Sequence, residues 1–104
     1  MDGFEVVQRN VGRVVAPDEY RHFHAGEDVS SRALVAVQRS DGQYQIGMVG
    51  MVGMSEEYTG LSVYKVYLEK DSGLSRTFYL NQMYYVHGLT LLADHEDMRG
   101  PRTR

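Results

Sequence analysis

The chain has 104 residues and a mass of 11.8 kDa, which suits one domain and is too short for two separate hydrophobic cores. Its 42% hydrophobic and 24% charged residues are typical of a folded globular domain and exclude wholesale disorder. The absence of cysteine excludes disulfides and thiolate zinc sites, and the net charge of −3 argues against a strong nonspecific DNA-binding protein.

The first ten residues, MDGFEVVQRN, are acidic where a secretion signal is basic, and they contain no long apolar stretch. No later stretch approaches the roughly 18 apolar residues of a membrane span. We therefore predict a protein of the reducing cytoplasm with no membrane contact. Residues 1–98 form the predicted single domain, and the basic tail 99–104, RGPRTR, is predicted to be disordered.

Short stretches rich in valine and tyrosine, separated by Gly, Asp and Ser, predict β-strands. No stretch keeps a helical period for three turns, so we expect at most one or two short helices. NQMYYVHG (81–88) fits a short helical turn as well as a strand. The predicted strands are, in chain order, FEVV (4–7) or VGRVVA (11–16), RALVAVQR (32–39), YQIGMVGMVG (44–53), LSVYKVYLE (61–69), RTFYL (76–80) and GLTLL (88–92).

The segments between these strands predict turns and loops. Asp41-Gly42 suits a tight hairpin turn with positive φ, and KDSG (70–73) predicts a second turn of the same kind. DEYRHFHAGEDVSSR (18–32) lacks a period and predicts a long loop, which in a small domain is often functional. SEEYTG (55–60) is a polar connection that could bend over a site.

Five or six short strands with tight turns predict a mainly β fold, a small and strongly bent sheet or partly open barrel. An SH3-like barrel fits this pattern best.

The stretch GMVGMVGMS (47–55) repeats Gly-Met every three residues. Strict alternation would place Ile46, Met48, Val52 and Met54 on one face and Val49 with Met51 on the other. A repeat of three is out of step with the pleat, which predicts bulges, sharp bends or close backbone approach. The stretch is interpreted as a coiled barrel strand with methionines as gap-fillers, or as the glycine floor of a ligand groove.

His22 and His24 in RHFH would lie on one side of an extended segment. With His87 or His95 they could ligate a metal, or one of them could act as a general base near an arginine. Loop histidines are usually solvated, and no carboxylate spacing matches a known site, so no metal or other cofactor is predicted. Five tyrosines could stack on unpaired bases or simply fill and rim a barrel: Tyr64, Tyr67, Tyr79, Tyr84 and Tyr85.

Three segments share an order with one known family. VGRVV (11–15) resembles an opening Gly-x-Val-Val strand, and SRALVAVQ (31–38) resembles an Arg-Pro-Ala-Leu-Val-Val strand. GLSRTFYLNQMYYVHGLTLL (73–92) resembles a strand that runs into an Asp-Gln-Ile-like turn and a closing Leu-rich strand. This order is similar to that of the MazF/PemK toxin endoribonucleases. The resemblance implies a small dimeric SH3-like barrel that cuts single-stranded RNA.

The chain departs from the family where the chemistry lies. The family's Pro-Ile-Thr-Ser-like motif corresponds to GMVGMVGMS, so Ser55 is the nearest hydroxyl and Thr59 lies beyond it. Arg32 takes the place of the family's proline, and Ser31 takes that of its arginine. Either the site is rebuilt with Arg32 and Ser55, or the fold persists without the activity.

Two functions follow as hypotheses. In the first, a toxin-like growth inhibitor cleaves RNA: Arg32 binds the scissile phosphate, Ser55 assists, and His22 or His24 is the acid or base. The implied RNA contacts are Arg39, Thr59, Tyr84 and Tyr85. In the second, a barrel without catalysis binds a protein partner, such as an antitoxin, through its tyrosines and methionines. Both hypotheses include a homodimer, because a small barrel this rich in apolar side chains is expected to expose an apolar patch.

Overall fold

A computed structural model of the chain describes residues 3–93. The fold is mainly β, with one helix and seven strands among the described residues. Helix α1 spans Gly3–Asn10, and two 3₁₀ turns span Pro17–Glu19 and Leu80–Gln82. The strands are β1 Val14–Val15, β2 Tyr20–Arg21, β3 Leu34–Gln38, β4 Tyr44–Met54, β5 Ser62–Tyr67, β6 Ser75–Phe78 and β7 Met83–Val86.

The strands form one antiparallel sheet in the order β2-β7-β3-β4-β5-β6, and β1 pairs with the start of β4. In the part of the chain that the structure describes, no strand pairing joins β6 to β7 or β2, so the sheet is open. In a flat sheet, β6 and β7 would lie roughly 19 Å apart, four strand spacings. Only residues 79–82 connect them, and three of these form the second 3₁₀ turn. The sheet must therefore curl strongly.

Two hydrophobic cores lie on the two faces of this sheet. Strand β3 alternates between them, because Val35 and Val37 point to the first core whereas Leu34 and Ala36 point to the second. All four side chains are buried, as expected of a central strand with both faces covered. The first core also contains Val29, Ala33, Val49, Tyr64, Val66, Leu68, Phe78 and Met83, and the second contains Val11, Val15, Ile46 and Val86.

The segment FEVV, one of two alternatives for the first strand, is part of helix α1, so that alternative is wrong. The valines favour a strand locally, but Val6 and Val7 pack against the second core, together with Val11 one turn further on. Burial of this apolar stripe overrides the strand preference of valine. The other alternative, VGRVVA, contains strand β1.

The predicted strand GLTLL is also wrong. Leu89 and Thr90 form a turn after β7, with both backbone N–H groups donating to the carbonyl of Val86. The hydroxyl of Thr90 donates to the backbone carbonyl of Leu34 and accepts the N–H of Val86. We call these two hydrogen bonds of the Thr90 hydroxyl the clasp. They take the place of the hydrogen bonds of a strand, and within this segment only Leu92 forms an isolated bridge, with Val29.

The remaining predictions of local structure have mixed outcomes. NQMYYVHG contains both of its alternatives, a 3₁₀ turn followed by strand β7. The hairpin at Asp41-Gly42 is confirmed: Gly42 has φ +90°, and Gln38 pairs with Tyr44 across a five-residue loop. The turn at KDSG is likewise confirmed, with Gly73 at φ +75° between β5 and β6. The predicted long loop contains the short strand β2. The predicted basic tail lies outside the described residues.

Strand β4 contains the bulge that the Gly-Met repeat predicts. Val49 pairs with Val66 but Val52 pairs with Tyr64, so β4 has one extra residue between these pairs. The expected strict alternation is therefore wrong beyond the bulge: Val52 and Met54 share the face of Val49. Met51 and Met54 are 68% and 64% exposed, so neither is a gap-filler of the core.

The glycines of the repeat differ in how much space surrounds the position of an added Cβ. A Cβ at Gly47 would lie 2.9 Å from the backbone carbonyl oxygen of Tyr67 and 2.5 Å from Cγ1 of Val66. A Cβ at Gly50 would lie 2.5 Å from the ring of Tyr67. At Gly53 the nearest atom, on Val63, is 3.9 Å away. Close approach of β4 to β5 thus requires glycine at Gly47 but not at Gly53.

Among residues 3–93, no helix is long and apolar enough to cross a membrane.

We expect Gly47→Ala to lower the free energy of unfolding by about 1 to 3 kcal/mol, because the added methyl group must push β5 away. Gly53→Ala is the matched control, with an expected change within about 0.5 kcal/mol. Urea denaturation followed by circular dichroism measures both midpoints. Equal losses in the two variants would contradict this account of the close approach.

Candidate functional site

A groove of about 930 Å³ opens between the loop after β2 and the start of β5. The loop contributes residues 22–27, and the opposite wall comes from the β4–β5 loop and the 3₁₀ turn before β7. The lining residues are aromatic, aliphatic and polar, with a single carboxylate: His22, Phe23, His24, Ala25, Gly26, Glu27, Tyr58, Leu61, Ser62, Tyr64, Tyr79, Leu80, Asn81, Gln82 and Met83.

Tyr58 and Tyr79 form one wall of the groove. Their rings meet edge to face, with centroids 5.8 Å apart and planes inclined by 66°. Tyr58 is 54% exposed, whereas Tyr79 is half-buried. An exposed ring held by a second ring is a surface on which a flat ligand can stack.

Ser55 fixes the hydroxyl of Tyr79. The Ser55 Oγ accepts the backbone N–H groups of Glu57 and Tyr58 at 3.1 and 2.9 Å, and it lies 3.0 Å from the Tyr79 hydroxyl. A serine hydroxyl has two lone pairs and one proton. The two N–H groups occupy both lone pairs, so Ser55 donates its proton to Tyr79. The proton of Tyr79 is then available to a ligand in the groove.

The two predicted histidines lie at the rim. The ring of His22 contacts the ring of Tyr84, with centroids 4.9 Å apart. His24 is more exposed, and its Nδ1 lies 3.8 Å from the Glu27 carboxylate. Both residues line the groove and are exposed, but the ring of His22 lies against Tyr84, a residue that does not line it.

Glu27 is the one carboxylate that lines the groove, and Arg21 neutralises it. The guanidinium donates two parallel hydrogen bonds, of 3.0 and 3.2 Å, to the two carboxylate oxygens. The backbone N–H of His24 adds a third bond of 2.6 Å. These bonds, first that from Arg21 and then that from His24, hold the pKa of Glu27 below its usual range.

Tyr64 forms part of the floor and ties the loop to strand β5. Its hydroxyl donates to Asp28 Oδ1 at 2.6 Å, and the same oxygen accepts the N–H of Val29. Burial and then this bond to the carboxylate raise the pKa of Tyr64 well above its usual range. Tyr64 therefore remains a neutral hydrogen-bond donor at all physiological pH values.

The structure does not bring Arg32 and Ser55 together. Arg32 lies in the turn before β3, with φ +71°, and its N–H donates to the carbonyl of Val49. Ser55 follows the end of β4, six residues after Val49, which at about 3.3 Å per residue corresponds to roughly 20 Å. Arg32 is not among the groove-lining residues. One phosphate cannot contact both side chains in this chain.

The four predicted RNA contacts also lie outside the groove. Arg39 is in the β3–β4 turn and pairs with Asp41 at 3.0 Å. Thr59 is exposed in the β4–β5 loop. Tyr84 and Tyr85 are adjacent on β7 and point to opposite faces of the sheet.

Each of these two tyrosine rings is occupied by neighbours within the fold. Tyr84 packs against Tyr20 and Tyr44 with centroid distances of 5.4 and 5.3 Å, and burial raises its pKa. Tyr85 lies beneath Arg21, whose guanidinium carbon is 4.0 Å from the ring centroid.

No cluster of three metal-ligating side chains occurs among residues 3–93. His87 contacts the ring of Tyr85, with centroids 5.9 Å apart, and does not line the groove with His22 and His24. His95 lies outside the described residues.

Sequence reasoning missed part of the groove. Tyr64 and Tyr79 belong to the five tyrosines that could stack on unpaired bases, and Tyr58 lies in SEEYTG, the polar connection that could bend over a site. As an aromatic residue in that connection, Tyr58 could have been predicted to line a site. No sequence feature predicts that Phe23, Asn81 and Gln82 line the groove, because their approach to it depends on the curl of the sheet.

Comparison with known proteins identifies no relative: no family model, curated protein or solved structure matches the chain.

We expect Tyr64→Phe to lower the free energy of unfolding by about 1.5 to 3 kcal/mol, because it removes a hydrogen bond to a charged carboxylate. Tyr67→Phe is the control, since the Tyr67 hydroxyl has no hydrogen bond within the described part of the chain. Thermal and urea denaturation measure both variants. Similar stabilities for the two would show that the bond to Asp28 contributes little.

The lowered pKa of Glu27 predicts that the loop 22–27 loosens in acid. A carboxylate with a depressed pKa stabilises the fold above its usual pKa, and this stability is lost as the pH falls through the folded value. We expect exchange of the His24 amide to accelerate below about pH 4, beyond the intrinsic pH dependence. Glu27→Gln should remove this extra acid dependence. Glu19→Gln, which alters another carboxylate with a lowered pKa, should leave it in place.

Proposed function

We propose that the chain binds single-stranded RNA in this groove and cleaves it as a toxin-like endoribonuclease. The observation that carries the proposal is that two histidines and three tyrosines line one open groove. The composition of its lining favours unpaired bases, because aromatic rings accept the face of any base. Asn81, Gln82 and the Tyr79 hydroxyl supply donors and acceptors for base edges.

The chemistry assigned to the site is transesterification. One imidazole removes the proton of a ribose 2′-hydroxyl, whose oxygen then attacks the adjacent phosphorus. The bond from phosphorus to the 5′-oxygen breaks, and the second imidazole gives that oxygen a proton. The products are a 2′,3′-cyclic phosphate and a free 5′-hydroxyl. His22 and His24 are the candidates for these two roles.

Ser55 has a different role here from the one that the family resemblance implies. Its hydroxyl is committed to Tyr79 and to two backbone N–H groups. In this proposal it is a positioning residue that orients Tyr79, and Arg32 has no part in the chemistry. The cleavage step rests on the MazF/PemK resemblance, whereas RNA binding rests on the groove.

The finer fold assignment is also a proposal: the sheet is a partly open SH3-like barrel. Two observations support it. The chain passes from β6 to β7 through a single 3₁₀ turn, although these strands lie four positions apart in the sheet. The long strand β4 is shared by β1, β3 and β5 and bends at a bulge, as strands of small barrels do. A cytoplasmic location follows from an RNA substrate and remains part of the proposal.

Fluorescence anisotropy with a short unstructured RNA oligonucleotide tests binding. Tyr58→Ala should weaken the affinity by about fivefold to a hundredfold, the usual range for one lost stacking contact. Leu74→Ala, a change of an equally exposed side chain on another hairpin, is the control. Because neither lysine nor arginine lines the groove, we also expect a weak salt dependence, with a log–log slope smaller in size than about one. No binding by the wild type would end the proposal.

Cleavage is tested separately with the same oligonucleotide, labelled at its 5′ end. Wild-type protein should produce fragments that end in a cyclic phosphate, and the His22→Ala/His24→Ala variant should bind the RNA without cutting it. Binding without cleavage by the wild type would contradict the catalytic step alone. Tyr79→Phe should reduce cleavage while preserving the ring contact with Tyr58.

A second candidate function, a binding module for a protein partner, is favoured by one specific observation. The distal parts of β4 and β5 with their connecting loop, residues 50–63, expose apolar side chains that are each half or more exposed: Met51, Val52, Met54, Tyr58 and Leu61. We name these residues 50–63 the arm. Growth arrest on expression that persists in the His22→Ala/His24→Ala variant and is lost in Met51→Lys would favour this function.

A further inference from the structure

A second cleft adjoins the groove at the place where the sheet does not close. Its volume of about 380 Å³ lies within the range of ligand-binding pockets. Strand β6 lines one side of it with Arg76, Thr77 and Phe78, and the end of β3, the start of β4 and strand β7 line the other side. We name this cleft the seam.

The groove and the seam meet at the turn between β6 and β7. Asn81 and Gln82 line both clefts, and both residues are exposed. The side-chain carbonyl of Gln82 accepts the backbone N–H of Tyr79, and its side-chain NH₂ group makes no hydrogen bond within residues 3–93. A ligand longer than the groove can therefore cross these two amide side chains and enter the seam.

Arg76 gives the seam a positive charge that the groove lacks. Neither lysine nor arginine lines the groove, whereas Arg76 is exposed in the seam. In the part of the chain that the structure describes, Arg76 forms no ion pair. Arg21, beside the groove, is by contrast paired with Glu27. The charge of Arg76 is thus available to an anionic ligand.

The guanidinium of Arg76 is held in place by two contacts. Its Nη2 donates a hydrogen bond of 2.8 Å to the backbone carbonyl of Gln38 on the other side of the seam. Its central carbon lies 4.9 Å from the centroid of the Phe78 ring. A guanidinium carries several N–H donors in a planar fork, so donors remain after this one bond, and the fork matches the oxygens of a phosphate. A side chain that is already ordered loses little conformational freedom on binding.

We propose that the seam is a second subsite for the RNA strand, in which Arg76 binds one backbone phosphate beyond the nucleotides held in the groove. This inference rests on the proposed binding of RNA and assigns the part of the strand that the groove leaves unbound. Bases stack against Tyr58 in the groove, the strand crosses Asn81 and Gln82, and a phosphate then lies against Arg76. RNA that extends into the seam therefore binds more tightly than RNA confined to the groove.

Arg76 also has a purely structural explanation. It pairs with the buried Val66 and so shares the inward face of β6, and an inward-pointing charge protects an edge strand from pairing with other chains. The two explanations differ in what they predict for RNA. Only a phosphate subsite makes the affinity depend on the length of the strand and on salt through Arg76.

Fluorescence anisotropy with two unstructured RNA oligonucleotides tests the subsite, one of about three nucleotides and one of about eight, because single-strand sites commonly begin at about four nucleotides. Wild-type protein should bind the longer oligonucleotide about tenfold more tightly, as expected for one hydrogen-bonded contact to a charged group. The log–log salt slope of the longer one should be larger in size by about 0.7, the value for one phosphate contact on a single strand.

Substitutions of Arg76 separate the contact from the length of the RNA. Arg76→Gln should remove both differences between the oligonucleotides. Arg76→Lys should keep the difference in salt slope but lose part of the gain in affinity, because an ammonium group keeps the charge without the fork. Lys70→Gln is the matched control: Lys70 is also exposed and donates to a backbone carbonyl, that of Gln8, but it lines neither cleft. This variant should retain both differences.

A single uncharged methylphosphonate linkage, moved along the longer oligonucleotide, locates the contact. At one position it should weaken binding by the wild type about tenfold and leave binding by Arg76→Gln unchanged, because the two changes remove the same interaction. Circular dichroism spectra of the variants establish that the fold is retained.

Two outcomes would overturn the subsite and leave binding in the groove intact. One is binding of the short oligonucleotide, weakened by Tyr58→Ala, without any gain for the longer one. The other is a gain that persists in Arg76→Gln, which would leave Arg76 with its structural role alone. If the wild type binds neither oligonucleotide, the proposed function fails and the subsite fails with it.

Discussion

The contact between Gly47 and the carbonyl of Tyr67 sets the position of β5 against β4, and both cores depend on that position. Strand β4 provides Val49 to the first core and Ile46 to the second. Only a residue without a side chain permits this approach, because the neighbouring atom belongs to the backbone and cannot rotate aside. The first glycine of the repeat, Gly47, is thus required by packing, whereas Gly53 has room for a side chain.

The bulge that follows in β4 determines which side chains of the distal strand lie beside the candidate site. By adding one residue to β4, it turns the distal half of the strand so that Val52 and Met54 share the face of Tyr64. The loop beyond them carries Tyr58 across the groove to Tyr79. The position of this wall of the groove therefore depends on a single irregularity in β4.

The sequence predicted the mainly β fold and both glycine-containing hairpins because these depend on local preferences. The strand preference of valine-rich stretches and the positive φ of Gly42 are set by residues that are close in sequence. The helix at Gly3–Asn10 could not be predicted from valine content, since it forms by packing on residues far along the chain. Tyr84 and Tyr85 illustrate the same limit. Their composition suggested RNA contacts, but the sheet order places both rings against neighbours that are distant in sequence.

The clasp formed by Thr90 has a consequence for the order in which the protein can fold during translation. Strand β3 pairs with β7, and the carbonyl of Leu34 accepts a hydrogen bond from Thr90. Both of these partners follow β3 by about fifty residues in the chain. A ribosome that adds amino acids one at a time releases β3 and β4 long before their last partner. During this interval the sheet is incomplete, and the apolar edge of β3 that pairs with β7 remains unpaired. The nascent chain is therefore most prone to misassociation in the interval before Thr90 emerges.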